Sequence, residues 1–388
     1  MAIAVPARRM LLSGDHAVAY GVMLSRAQLI PGYPITPQTP ILEKLSELVS
    51  SGEFPADLML VESEHSAMCA AMAASLGGVR VFTATASQGF FYMHEVLHAA
   101  AMGRAPVVMV GVNRSHSLPW AFWADHSDSL SQRDTGWIHL YCETAQEALD
   151  LVPIAYRIAE TVFVPVMVLF EAVYVSHTYE EVEVPPSELV LAYLPPFPDG
   201  FRMHVEDPRG YGNAVTPRQW AQHRQRLHEA HLVAPAAARD AFQQWAQLTG
   251  RHYGLVDPYR CEDAELILVT IGGPSGTARE AVDALRTEGL RVGVLKQRMV
   301  RPVPVDELRG HLRHAQRVAV VDRNCSPGLG GIITQEVRAA LHAVPGSPPV
   351  HSFLAGLGGT NLSVEDLISI AHMALKEPGP ASFGTPYI

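Results

Sequence analysis

The chain has 388 residues, 48% hydrophobic and 18% charged, which separates it from disordered tails and coiled coils and leaves room for two or three domains of roughly 150 residues. Its 29 basic residues against 39 acidic ones give a formal charge of -10, excluding a nucleic-acid binder that relies on a general basic field. The 4 cysteines, Cys69, Cys142, Cys261 and Cys325, are scattered without a C-x-x-C pair, which excludes an iron–sulfur cluster or cysteine zinc site held by this chain alone and argues against a disulfide scaffold.

The start, Met1–Met10, has no long apolar run, and Arg8-Arg9 follows the apolar residues instead of preceding them. No stretch reaches the roughly 18 apolar residues of a membrane span, so a reducing cytoplasm is the expected setting. Residues 10–175 alternate helical periodicity with short apolar runs. Helices are expected at Ala17–Gln28, Pro37–Ser50, Ser66–Leu76, Phe90–Met102 and Ala145–Glu160. Val79–Thr85, Pro106–Asn113 and Pro165–Val173 read as buried strands. Such alternation predicts a doubly wound, mostly parallel sheet covered on both faces. From Ser176 the pattern fails. Pro185-Pro186, Pro195-Pro196, Pro198 and Pro208 point to an extended linker, followed by a polar helical segment over Pro217–Gly250 broken at Pro235. A second α/β unit is expected from Asp263 to Leu375, with strands Leu266–Ile271, Val292–Leu295, Val318–Asp322 and Val350–Leu354.

Several stretches carry chemistry-bearing residues. His94-Glu95-Val96-Leu97-His98 is an H-E-x-x-H sequence that on a helix puts two imidazoles on one face for zinc, the alternative reading being a zinc hydrolase. Ala101 and Arg104 stand where an extended motif needs Gly and His. Gly272-Gly273-Pro274 lies where a phosphate-binding turn would sit, but Pro274 removes a donor and a plain tight turn explains it. In Tyr33-Pro34-Ile35-Thr36-Pro37, Thr36 has the chemistry of an N-cap and Pro37 that of a first helical residue. Val61-Glu62-Ser63-Glu64-His65 puts two carboxylates at a helix start. Asn113-Arg114 ends a buried strand, where parallel sheets place ligands.

Gly32–Pro37, Glu62–Ser66, Thr83–Gly89, Met93-His94-Glu95, Asn113-Arg114, Asp125–Trp137, Ser176–Tyr179, Gln297-Arg298 to Pro304 and Ala355–Gly359 occur in the order seen in one family. Together they make the chain resemble the alpha subunit of pyruvate-type 2-oxoacid:ferredoxin oxidoreductases over nearly its whole length. The resemblance implies a pyrimidine-binding domain of the thiamine diphosphate (ThDP) fold at 1–175, a linker and helical segment at 176–258, and a transketolase C-terminal-like domain at 259–388. It implies oxidative decarboxylation of a 2-oxoacid with coenzyme A (CoA) to acyl-CoA, carbon dioxide and low-potential electrons. Glu64 maps to the carboxylate that bonds the pyrimidine N1′, with Glu62 second, and Ile35 and Gln88 to cofactor contacts. Thr36, Arg114, Asn113, Phe90 and His116 fall on the substrate side.

Gly14-Asp15-His16 departs from the G-D-G of a diphosphate and Mg²⁺ site. The resemblance therefore implies that a beta subunit holds that half, and that gamma and ferredoxin-like delta subunits carry the [4Fe-4S] clusters. Electrons would pass to ferredoxin or to a flavin/NAD subunit. Phe90-Phe91-Tyr92 stands where pyruvate members commonly carry small aliphatic residues, and Ser115-His116-Ser117, followed by Trp120, Phe122 and Trp123, where they commonly read Ala-Leu-Ser. Substrate choice thus stays open between pyruvate and a bulkier or aromatic 2-oxoacid such as phenylglyoxylate. A non-catalytic interaction subunit is the remaining alternative.

Overall fold

The computed structural model describes residues 7–197, 203–206, 208, 210–342 and 344–376; Met1–Pro6 and Pro198, part of two sequence-based readings, fall outside them. The expected α/β class is what the chain adopts. Phe82–Thr85, Val108–Asn113, Val166–Glu171 and Ile138–Tyr141 lie side by side as parallel strands. Every residue in them is buried, as the near-continuous Val, Met and Phe runs require when helices cover both faces. Leu29–Gly32 and Asp57–Leu60 pair in parallel, and a bridge from Leu29 to Val81 joins them to the Phe82 edge.

The long helix Ala145–Val162 buries its apolar face against Gly14–Leu24. Gly21 makes that approach possible, since a Cβ there would lie 2.7 Å from the Leu149 carbonyl oxygen.

Four expectations are corrected. The helix foreseen at Phe90–Met102 is two pieces, Gln88–Tyr92 and His94–Met102, because Met93 has ψ near zero and leaves helical geometry. The helix foreseen from Pro37 starts at Thr39, so Thr36 is not its cap: Gln38 is, and Pro40 occupies its first turn. Past Ser176 the chain is not simply extended. Tyr179–Val184 pairs antiparallel with Arg8–Ser13, and Ser187–Tyr193 is helical. Pro235 does not break Pro217–Thr249, which runs as one helix of 33 residues. Leu227, Ala230, Ala234, Ala238, Ala241 and Trp245 form a buried stripe on it at helical spacing, and this packing against Ala145–Val162 outweighs the lost backbone donor.

The second sheet runs Val350–Leu354, Arg317–Asp322, Leu266–Thr270, Val292–Gln297, Val256–Tyr259, the last antiparallel at the edge. Directly after Val292–Gln297, the strand Met299–Arg301 leaves this sheet and joins the first one antiparallel to Ile138–Tyr141. The carboxyl ends of the two sheets therefore abut. Glu171, fully buried at the end of its strand, accepts the Gly273 N–H at 3.0 Å and lies 2.7 Å from His126 Nε2. The Gly272-Gly273-Pro274 turn thus holds the chain's own carboxylate.

Beside it, Glu147 contacts Lys296 Nζ at 2.6 Å and Arg298 Nη2 at 2.7 Å, both cations being buried. Asp257 completes the Arg298 pairing and Glu143 lies 2.8 Å from Lys296.

Burial alone would raise the Glu147 pKa, but Arg298 and Lys296 bring it down from 4.5 to about 2. A depressed carboxylate contributes stability that is complete above its unfolded value and is lost as pH falls through its folded value. Glu147→Gln is expected to cost about 3–5 kcal/mol at neutral pH by leaving two buried cations short of a partner. The gap to the wild type should close as pH drops from 4.5 to about 2; urea unfolding across that range checks it, and a pH-independent gap would contradict the ion-pair account.

Candidate active site

The segments leaving four adjacent strands, Leu29–Gly32, Asp57–Leu60, Phe82–Thr85 and Val108–Asn113, converge at the carboxyl edge of the first sheet, the place where open α/β sheets bind ligands. The first carries Ile35 and Thr36. Thr36 is exposed, and its carbonyl accepts a hydrogen bond from Arg114 Nη1 at 2.5 Å. Gln38 fixes this loop by donating its side-chain amide to the Tyr33 carbonyl at 2.8 Å.

The second segment opens the helix Glu64–Leu76, capped by Ser63, whose hydroxyl accepts the Ser66 N–H. Its two carboxylates differ. Glu62 is exposed and accepts from the Ser66 hydroxyl, which holds its pKa low. Glu64 is only 6% exposed, and burial raises its pKa against its own backbone N–H and the Arg114 charge. No side-chain donor among the described residues bonds the Glu64 carboxylate. It lies against Gly89, where a Cβ would come within 2.9 Å of Glu64 Oε1 and 2.1 Å of Thr85 Oγ1.

The third segment is a tight turn over Ala86–Gly89, closed by the Gly89 N–H to the Ala86 carbonyl at 2.9 Å. Ser87 has φ 50° and ψ −121°, the region a type II′ turn requires and glycine normally fills. Its N–H donates to Asp128 Oδ2 at 2.9 Å, and its hydroxyl bonds the Gln88 Oε1 and the Ser115 carbonyl. Gln88 in turn accepts from Arg114 Nη2 at 2.5 Å.

Arg114, at the end of the fourth segment, is 5% exposed. Its Nε is buried without a hydrogen-bond partner, and the Trp120 ring lies over its guanidinium at 4.8 Å. Two of its five N–H groups are engaged by Thr36 and Gln88, so an unused edge of the fork remains for a carboxylate.

Around this pair the rim is aromatic. Phe91 and His116 meet at a tilt with ring centroids 4.7 Å apart, Trp120 meets Phe122 edge-on at 4.8 Å, and Phe91, Trp120, Phe122 and Trp123 are all substantially exposed. Phe90 departs from its expected place: it is fully buried, its ring filling the space over Gly111 in the core. Asn113 is also buried, donating its amide to Asp128 and Ser129.

The H-E-x-x-H residues do not converge on a metal site. The His94 and His98 rings meet edge-on at 4.9 Å, His94 Nδ1 is 2.5 Å from Gln132 Oε1, and Glu95 is exposed. Among the described residues no group of three or more His, Cys, Asp or Glu could hold a metal ion.

Asp128 and Ser87 are the parts that reading single residues missed. Asp128 lies inside the Asp125–Trp137 stretch, yet nothing in that spacing says it collects N–H groups from two other segments.

This placement brings together, at the edge of an α/β sheet, a buried carboxyl to which no side chain among the described residues donates, Glu64, and a guanidinium with unused N–H groups, Arg114; the Glu64 carboxyl fits the ring nitrogen of an aminopyrimidine. Residues 20–243 match the family described as pyruvate flavodoxin/ferredoxin oxidoreductase, thiamine diphosphate-binding, and residues 264–367 match pyruvate:ferredoxin oxidoreductase core domain II. Ketoisovalerate oxidoreductase subunit VorA of Pyrococcus horikoshii is 42% identical over 93% of this chain and 92% of its own length. Pyruvate synthase subunit PorA of Methanothermobacter thermautotrophicus is 40% identical over 95% of this chain and 98% of its own.

Among solved structures, the fold matches the 2-oxoglutarate:ferredoxin oxidoreductase of Magnetococcus marinus, with a TM-score of 0.73 at 19% identity, over 95% of this chain and 65% of that one. It also matches a split-gene transketolase, with a TM-score of 0.55 at 13% identity, over 93% of this chain and 97% of that one. The chain belongs to the thiamine diphosphate-binding pyruvate flavodoxin/ferredoxin oxidoreductase family, as an alpha-type subunit of a 2-oxoacid:ferredoxin oxidoreductase. No helix among its described residues is long and apolar enough to cross a membrane.

Gly89→Ala tests how closely Glu64 is held. With contacts of 2.1 and 2.9 Å to absorb, the variant should lose about 1–3 kcal/mol. A thermal midpoint equal to that of the wild type would show slack around the carboxylate.

Proposed function

We propose that this chain supplies the aminopyrimidine half of a shared thiamine diphosphate site and the carboxylate grip for the substrate in the oxidative decarboxylation of a 2-oxoacid to its acyl-CoA. The observation that carries this is the placing of a buried Glu64, to which no side chain among the described residues donates, with Arg114 along one sheet edge. Glu64 would share its proton with the pyrimidine N1′. Burial raises its pKa, the direction that favours the protonated carboxyl such sharing needs. Ile35 and Gln88 would flank the ring. The cofactor, once bound, supplies the electron-accepting ring that decarboxylation needs.

Arg114 would hold the substrate carboxylate by its unused N–H groups while Thr36 and Gln88 keep the guanidinium plane fixed, which a lysine cannot reproduce. His116, in tilted ring contact with Phe91, and Trp120 would face the substrate side chain, with Asn113 and Phe90 shaping the site from beneath. An aromatic rim suits an apolar side chain, so the proposed range runs from pyruvate through branched 2-oxoacids to phenylglyoxylate.

The diphosphate with its Mg²⁺ and the [4Fe-4S] clusters would reside on beta, gamma and delta subunits. CoA would serve as cosubstrate and ferredoxin or a flavin/NAD subunit as acceptor, all in the cytoplasm.

The test uses the assembled complex, assayed for CoA-dependent dye reduction with pyruvate, 2-oxoglutarate, branched 2-oxoacids and phenylglyoxylate. Glu64→Gln should lower kcat by about 10²–10⁴, and Arg114→Lys should assemble but lose most of kcat/KM. Full activity in both variants would instead mark the chain as a non-catalytic subunit.

A further inference from the structure

We infer that Asp128 is a positioning residue that sets the substrate-carboxylate grip of this site; the inference rests on Arg114 holding that carboxylate. Asp128 is 0% exposed and cannot itself meet substrate. Its Oδ2 accepts the Ser87 N–H at 2.9 Å and the Arg114 N–H at 3.1 Å. Its Oδ1 accepts the Asn113 amide and the Ser129 N–H, each at 2.7 Å.

All four partners are donors, and two of them hold the backbone next to the two groups that make the grip. Ser87 precedes Gln88, the residue that fixes Arg114 Nη2. The Arg114 N–H anchors the backbone from which the guanidinium reaches Thr36. The single Oδ2 atom thus fixes the distance between the end of Phe82–Thr85 and the end of Val108–Asn113. It also holds Ser87 at a positive φ that a non-glycine residue leaves readily.

Asp128→Asn keeps the shape but places an NH₂ group against one pair of N–H donors, whichever way the amide sits. That strands buried donors and lets the Ser87 turn and the Arg114 backbone drift apart. Misplacing a grip used equally in ground and transition states raises KM more than it lowers kcat.

The experiment uses the complex assembled with its partner subunits. Oxamate, a non-reacting 2-oxoacid isostere, is titrated against tryptophan fluorescence, with Trp120 over Arg114 as the local reporter, and KM and kcat are measured in parallel. For Asp128→Asn the oxamate Kd and the 2-oxoacid KM should each rise about tenfold or more, with kcat within about threefold of the wild type. Ser129→Ala strips the Asn113 amide of its other acceptor but leaves all four Asp128 bonds, and should keep the oxamate Kd within about twofold. An unchanged Kd in Asp128→Asn overturns the inference. So does a Kd in Ser129→Ala raised about tenfold, and this arm decides the matter even if Asp128→Asn does not assemble. Arg114→Lys separates the two levels: if it leaves the oxamate Kd unchanged, the reading of Arg114 fails, whereas weak binding in Arg114→Lys beside normal binding in Asp128→Asn removes Asp128 alone.

Discussion

A carboxylate taken out of water must be surrounded by N–H and O–H groups or by cations, and four buried carboxylates organise this protein on that rule. Glu147 answers it with Lys296 and Arg298, and Glu171 with His126 and the Gly273 N–H. Asp128 is satisfied by donors on two neighbouring loops and its own helix. Asp322 draws on the Ile333 and Thr334 N–H groups that open a helix, together with the Thr334 hydroxyl. Two of the four, Glu147 on the helix Ala145–Val162 and Glu171 at a strand end of the first sheet, reach to residues of the second unit. The interface between the sheets is therefore specified by charge and geometry as well as by apolar area.

Glu64 stands apart from these four. It is buried as they are, but among the described residues no side chain donates to it, and burial raises its pKa, whereas Arg298 and Lys296 lower that of Glu147. Among the described residues Asp15 is also fully buried with neither oxygen hydrogen-bonded, so what sets Glu64 apart is its place beside Arg114 at the edge where ligand is expected, while the four organising carboxylates are answered. Arg114 shows the same arrangement from the cationic side. Its Nη groups are fixed by Thr36 and Gln88, and its buried Nε has no hydrogen-bond partner among the described residues.

The aromatic loop after Asn113 is held from both sheets. Ser115 closes it internally through Ala121 and Trp123, and Asp125 accepts the Gly358 N–H from the second unit. A Cβ at Gly359 would overlap Trp123, so the glycine-rich turn after Val350–Leu354 is the seat on which this loop rests. The rim of the proposed substrate site is thus built from residues more than two hundred positions apart.

Local pattern settled a good deal of this. Most of the buried strands and the helices between them follow from period and burial to within a few residues, but the buried strand Ile138–Tyr141 is not among the expected ones and the expected helix Phe90–Met102 is two. Glu64, Thr36, Gln88 and Arg114 stand out as candidates through the ordered motifs that carry the family resemblance. What periodicity could not supply was the answer to long-range competition. Pro235 stays helical because a buried face on either side outweighs one missing donor. Met299–Arg301 leaves its own sheet because the Ile138–Tyr141 edge offers it partners. Phe90 turns into the core while Phe91 faces out, a choice set by the space over Gly111. Asp128 gathers donors from segments 15 and 41 positions away. Local backbone preference acts over a few residues and can be read directly, whereas which buried polar group meets which donor depends on packing across the whole chain, and only the folded structure decides it.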